Sequence, residues 1–174
     1  MARNKIKKIG MVVAMDKEIT PFLKSIGEIF LKEQNGHYQV YGYKAGEKEI
    51  YLVKSGIGEI FASSATQMLI SEYKPDLILN FGVCGSLVKN LSVMSTVLVK
   101  GVVHYDFDLS QIDNVKVGQY PGYDSPVISV ENEFYEIVKE AMPGVTESIC
   151  ASADKFVADA EIKKRLNETF GATV

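Results

Sequence analysis

Ile9-Gly-Met-Val-Val-Ala-Met-Asp-Lys-Glu18 decides the fold. Ile9, Met11, Val12, Val13 and Ala14 form an apolar run with little polar alternation, as in a strand covered on both faces. Asp16 stands as an N-cap, and Glu18, Ile19, Phe22, Leu23 and Ile26 carry the helix signal that follows at once. Glu18 therefore falls in the first helical turn, at the carboxyl end of the first strand. In open α/β sheets that edge is where ligands bind. Two readings of Glu18 stand: a carboxylate that complements the helix dipole, or one that serves a site. Spacing alone favours the first.

Outward from this unit, three strand-like segments follow at Ile29 to Glu33, Tyr38 to Lys44 and Glu49 to Lys54, with turns at Asn35-Gly36 and Gly46-Glu47. Ser55-Gly-Ile-Gly-Glu59 leads into a helix expected to bury Ile60, Phe61, Ser64, Met68 and Ile70-Ser71, ended by Pro75. Leu77 to Phe81 reads as the next buried strand, Gly82-Val-Cys-Gly-Ser86 as a tight loop, and Val97 to Val103 as a further strand. A long Gly-, Asp- and Pro-rich loop spans Gln111 to Pro126. Helix Val130 to Met142, strand Val145 to Ala151 and helix Ala158 to Phe170 complete the pattern, and Gly171-Ala-Thr-Val174 begins another strand. The order is mixed α/β. A single domain over 1–174, incomplete at its C-terminus, is the expected organisation.

A net charge of −3 argues against nucleic acid or an anionic membrane as the main partner. Cys84 and Cys150 are too few for a disulfide framework or a paired-Cys metal site. The apolar run after the basic N-terminus ends at Asp16, too short for a membrane span. A reduced, cytoplasmic setting is expected.

Three constellations bear on chemistry. Gly56-Ile-Gly58 before a helix suits either a tight turn or an anion cradle; Phe61 stands where a dinucleotide fingerprint needs glycine. Gly82-Val-Cys84-Gly-Ser86 has the outline of a nucleophile elbow or of a glycine loop closing over a ligand. His104, Asp106 and Asp108 alternate and would share one face of an extended strand, as a metal set or as loop structure. Loop structure is favoured, and no metal or cofactor is assigned.

Six segments in order carry a resemblance: Ile9 to Glu18, Lys54-Ser-Gly-Ile-Gly58, Pro75 to Ser86, Tyr105-Asp-Phe-Asp108, Gly118-Gln-Tyr-Pro-Gly122 and Ser152-Ala-Asp-Lys-Phe-Val157. Together they resemble the 5′-methylthioadenosine/S-adenosylhomocysteine nucleosidases of the nucleoside phosphorylase superfamily. The resemblance implies a three-layer αβα fold with a mixed central sheet. It implies cleavage of the N-glycosidic bond of an adenine nucleoside, with Glu18 activating the attacking water. Ile57 would line the 5′-alkylthio pocket, and Val83, Cys84 and Gly85 the wall under ribose and base. Phe156 would stack on adenine while the backbone of Val157 reads its edge. The Asp106 to Pro121 loop would reach a neighbouring subunit of a homodimer. The chemistry is consistent, because glycosidic cleavage builds positive charge on the sugar and negative charge on the base.

The only arginines, Arg3 and Arg165, are poorly placed to hold phosphate, so hydrolysis is expected over phosphorolysis. A nucleoside phosphorylase and a non-catalytic or degenerate nucleoside-binding paralogue are the alternatives. Val83 stands where the family often carries a small hydroxyl residue. The family's acidic-Met-Glu segment and later Ser-Asp pair, which supplies the general acid, do not occur in this sequence. Weak activity or none, and apolar sheet faces left exposed, are the expected consequences.

Overall fold

The computed structural model describes residues 6–174, so Arg3 lies outside the described residues. The chain gathers into two compact units that divide between Val83 and Cys84.

In the first unit, β1 (Lys8–Val13) leads to α1 (Asp16–Ser25). A meander of β2 (Ile29–Asn35), β3 (Tyr38–Ala45) and β4 (Lys48–Lys54) follows, then α2 (Glu59–Tyr73) and β5 (Leu77–Asn80). The sheet order is β2-β3-β4-β1-β5, with β1 parallel to both neighbours and the meander antiparallel. Met11 lies opposite Leu52 on one side and Leu79 on the other. Alternate residues of β1 feed two cores. Met11 and Val13 pack with Leu52, Tyr43 and Ile19 of α1, whereas Val12 packs with Val40, Val53 and the α2 residues Ala65 and Leu69. Leu52 and Leu69 are fully buried, each contributing about 1.5–3 kcal/mol through lost water contact. This is the three-layer αβα arrangement expected, with one helix on each face.

Two expectations need correction. Met15, not Asp16, is the N-cap of α1, and Asp16 instead pairs with Lys54 at 2.8 Å. The buried face of α2 also differs in part from the one expected: Met68 packs on the core as expected, but Ala65 and Leu69 are the fully buried residues, while Ile60, Phe61, Ser64, Ile70 and Ser71 are exposed. Apolar and polar residues alternate round the helix without segregating to one side, so periodicity did not single out a face.

In the second unit, β6 (Val97–His104) lies between β7 (Ile128–Ser129), antiparallel, and β8 (Thr146–Ser152), parallel. Helices α3 (Glu133–Ala141) and α4 (Ala160–Phe170) complete it. Helix α3 starts later than expected because Asn132 caps it, accepting from the Phe134 and Tyr135 N–H groups, and Ile128–Ser129 pairs with β6. Asp159 caps α4 in the same way. After Gly171 turns left-handed, Thr173 donates to the Ile149 carbonyl and Ala151 to the Val174 carbonyl, so the tail hydrogen-bonds to β8. Ala172 is fully buried.

Candidate active site

Strand β1 ends at Val13, and its last carbonyls are tied from both sides. Asn80 Nδ2 donates to the Val12 carbonyl at 3.1 Å, and the Ser55 N–H to that of Val13 at 2.8 Å. The ends of β5, β1 and β4 are thus fixed together at the carboxyl edge. Met15 is extended and offers no capping oxygen to the helix. Glu18, in the first turn, supplies the return half of a capping box instead: the Met15 N–H donates to Oε2 at 2.9 Å. Its other oxygen, Oε1, accepts from the Val83 N–H at 2.7 Å, across 65 residues of chain. A carboxylate oxygen has two acceptor sites, so each oxygen keeps one for a further donor. Helix-dipole complement and site carboxylate are therefore both compatible with one geometry.

Ile57 projects from the β4–α2 turn, 73% exposed, between Gly56 and Gly58, whose φ of 91° and 108° no ordinary residue adopts easily. The turn is tight, and Gly58 caps α2 without a side-chain hydrogen bond. Val83 is exposed beside the carboxylate that its amide holds. Of the expected site residues, Glu18 and Val83 are thus brought into contact.

Cys84, Gly85, Phe156 and Val157 belong to the second unit. Desolvation raises the Cys84 thiol above its ordinary value, which disfavours a thiolate nucleophile. The imidazole of His104 has both nitrogens engaged, Nε2 with Asp106 at 3.0 Å and Nδ1 with the Tyr120 hydroxyl at 2.8 Å. The alternation of His104, Asp106 and Asp108 breaks at a turn after His104, and Asp108 accepts from the Ser110 N–H instead. Among the described residues no group of three or more His, Cys, Asp or Glu is placed to hold a metal ion. Lys155 Nζ bonds Asp106 at 2.9 Å and, with His104, holds that carboxyl below the usual range. Phe107 stacks on Tyr120 at 4.2 Å, and Tyr105 N–H donates to the Ser152 carbonyl. The loop from Asp106 is thereby pinned to the segment that presents Phe156, which is 96% exposed.

Sequence reasoning missed Met15, Asn80, Gly82 and Lys155. A capping-box search wants Ser or Thr at position 15, and the 80–83 contacts join segments far apart in sequence.

The αβα sheet thus holds a carboxylate at the carboxyl ends of its parallel strands, the edge at which open α/β sheets bind their ligands. The family model described as the phosphorylase superfamily matches residues 8–174. The 5′-methylthioadenosine/S-adenosylhomocysteine nucleosidase of Buchnera aphidicola subsp. Acyrthosiphon pisum is 33% identical over 170 residues, covering 96% of this chain and 72% of its own. The Helicobacter pylori nucleosidase of the same name, solved with a pyrrolidinol ligand, is 30% identical with a TM-score of 0.87, over 97% of this chain and 73% of that one. Futalosine hydrolase of Helicobacter pylori strain 26695 is equally similar, at 30% identity and a TM-score of 0.87, over 98% and 74%. The chain belongs to the phosphorylase superfamily, in its 5′-methylthioadenosine/S-adenosylhomocysteine nucleosidase family. Among the described residues no helix is long and apolar enough to cross a membrane.

Proposed function

We propose that the chain hydrolyses the N-glycosidic bond of 5′-methylthioadenosine- and S-adenosylhomocysteine-type nucleosides and releases adenine. The observation that carries this reading is Glu18, held by two backbone N–H groups with one acceptor site open on each oxygen. Such a carboxylate accepts the proton of an attacking water and faces the positive charge that grows on the sugar. In this reading Ile57 lines the 5′-alkylthio pocket, and Val83, Cys84 and Gly85 line the ribose side. Phe156 stacks on the base and the Val157 backbone reads its edge. The protein works in the cytoplasm as a homodimer, with the Asp106 to Pro121 loop at the subunit contact.

The test is base release followed by chromatography with 5′-methylthioadenosine, S-adenosylhomocysteine and, because of the hydrolase similarity, futalosine. Adenine release without added phosphate is the expected result. Release only with phosphate, giving sugar 1-phosphate, would replace hydrolysis by phosphorolysis. Calorimetric binding with no release would establish a non-catalytic nucleoside binder instead.

A further inference from the structure

We infer that Gly82 is a positioning residue for Glu18: its missing side chain is the space in which the carboxylate sits, and this lets the Val83 N–H aim it. The inference rests on the nucleosidase reading and deepens it. A Cβ built on Gly82 would lie 2.5 Å from Oε1, 3.0 Å from Cδ and 3.4 Å from Oε2 of Glu18. The whole carboxylate therefore lies over the bare Cα. This glycine has no positive φ, so close approach, not backbone strain, is what excludes a side chain.

The Glu18 side chain is flexible, so its retreat is opposed by its two hydrogen bonds rather than by packing. Oε1 is held at 2.7 Å by the residue next to Gly82, and Oε2 at 2.9 Å by the N-cap of its own helix. Moving away from a methyl at 82 stretches the first bond, and rotating about the side chain breaks the second. Neither anchor drifts freely. Val83 follows β5, whose end is tied to β1 through Asn80, and Met15 follows β1 directly. Glu18 is thus registered against the two strands that define the edge. A misplacement of about 1 Å in a reacting group costs on the order of 10²-fold in rate.

The experiment compares Gly82→Ala, Glu18→Gln, Glu18→Asp and the double variant Gly82→Ala/Glu18→Asp in the full chain. Two signals are followed: the Val83 amide proton resonance, and kcat and KM for 5′-methylthioadenosine. Gly82→Ala should move the Val83 resonance toward its position in Glu18→Gln, and lower kcat about 10²-fold with a smaller change in KM. Shortening residue 18 by roughly 1.5 Å relieves the contact, so the double variant should recover part of the kcat lost in Gly82→Ala. A Val83 resonance indifferent to Gly82→Ala, or a double variant worse than both singles, overturns the inference. If Gly82→Ala does not fold, Glu18→Ala, which removes the acceptor outright, decides by the same amide: an unmoved Val83 resonance there overturns the clamp. The amide reads the clamp whether or not base is released, so failure of the nucleosidase reading and failure of the clamp are told apart.

Discussion

Two carboxylates of the first unit, one at each end of β1, each accept two backbone N–H groups. Asp76 takes those of Lys7 and Lys8, at 2.8 and 2.9 Å, on one oxygen, and its own N–H donates to the Lys8 carbonyl. It staples the start of β5 to the start of β1. Glu18 takes donors from two separate segments on two oxygens, against a glycine that leaves room for it. The bonds are alike, but the edges differ. Asp76 closes the amino edge, where both donors are consecutive residues at the start of β1. Glu18 spans the carboxyl edge, where the chain leaves the sheet and ligands bind. Donor count does not tell the two apart; position in the fold does.

The largest expected effect separates the two directly. Glu18→Gln should lower base release by about 10²–10⁴-fold, while Asp76→Asn should leave turnover at the wild-type level and lower only the melting temperature. Equal losses of turnover in the two variants would break the comparison. Gly10→Ala sharpens it from the side of the glycines. A Cβ there meets Ile78 Cδ1 at 2.6 Å and Pro75 Cγ at 3.2 Å, so about 1–3 kcal/mol of stability should be lost in urea titration. The Val83 amide should stay unmoved.

Acid titration probes the Asp76 staple by itself. Hydrogen bonds from the Lys8 and then the Lys7 N–H hold Asp76 below its ordinary value. Its folded value lies under its unfolded one, near 3.9. Its contribution is therefore complete above that value and lost as pH falls toward the folded one. Urea midpoints between pH 5 and 2 should fall less steeply in Asp76→Asn than in wild type. The smallest effect belongs to Lys54→Met, which removes the Asp16–Lys54 pair at 2.8 Å between exposed side chains. It should cost about 0–1 kcal/mol, and added salt should shrink the difference.

Much of this architecture was legible in the chain. Apolar runs marked β1, β5 and β6, and turn residues such as Gly36 and Gly46 marked the meander, because strand burial and positive φ each demand particular residue types. Helix α2 was located correctly, and Met68 does pack on the core, but Ala65 and Leu69 rather than Ile60, Phe61 and Ile70 are buried. Ile60 and Ile70 are as apolar as Leu69, and only the sheet beneath decides which is covered. Strand β7 was missed because two residues carry no periodicity.

For the candidate site, the sequence alone determined that an acidic residue opens the first helix directly after a buried strand. That is a local fact of ten consecutive residues. Tertiary structure decided that Glu18 meets Val83, that Asn80 fixes the strand ends, and that Gly82 must be bare. Those contacts join residues more than 60 positions apart. Hydrogen bonds and excluded volume act over a few ångströms of space, and no pattern of neighbours along the chain encodes them.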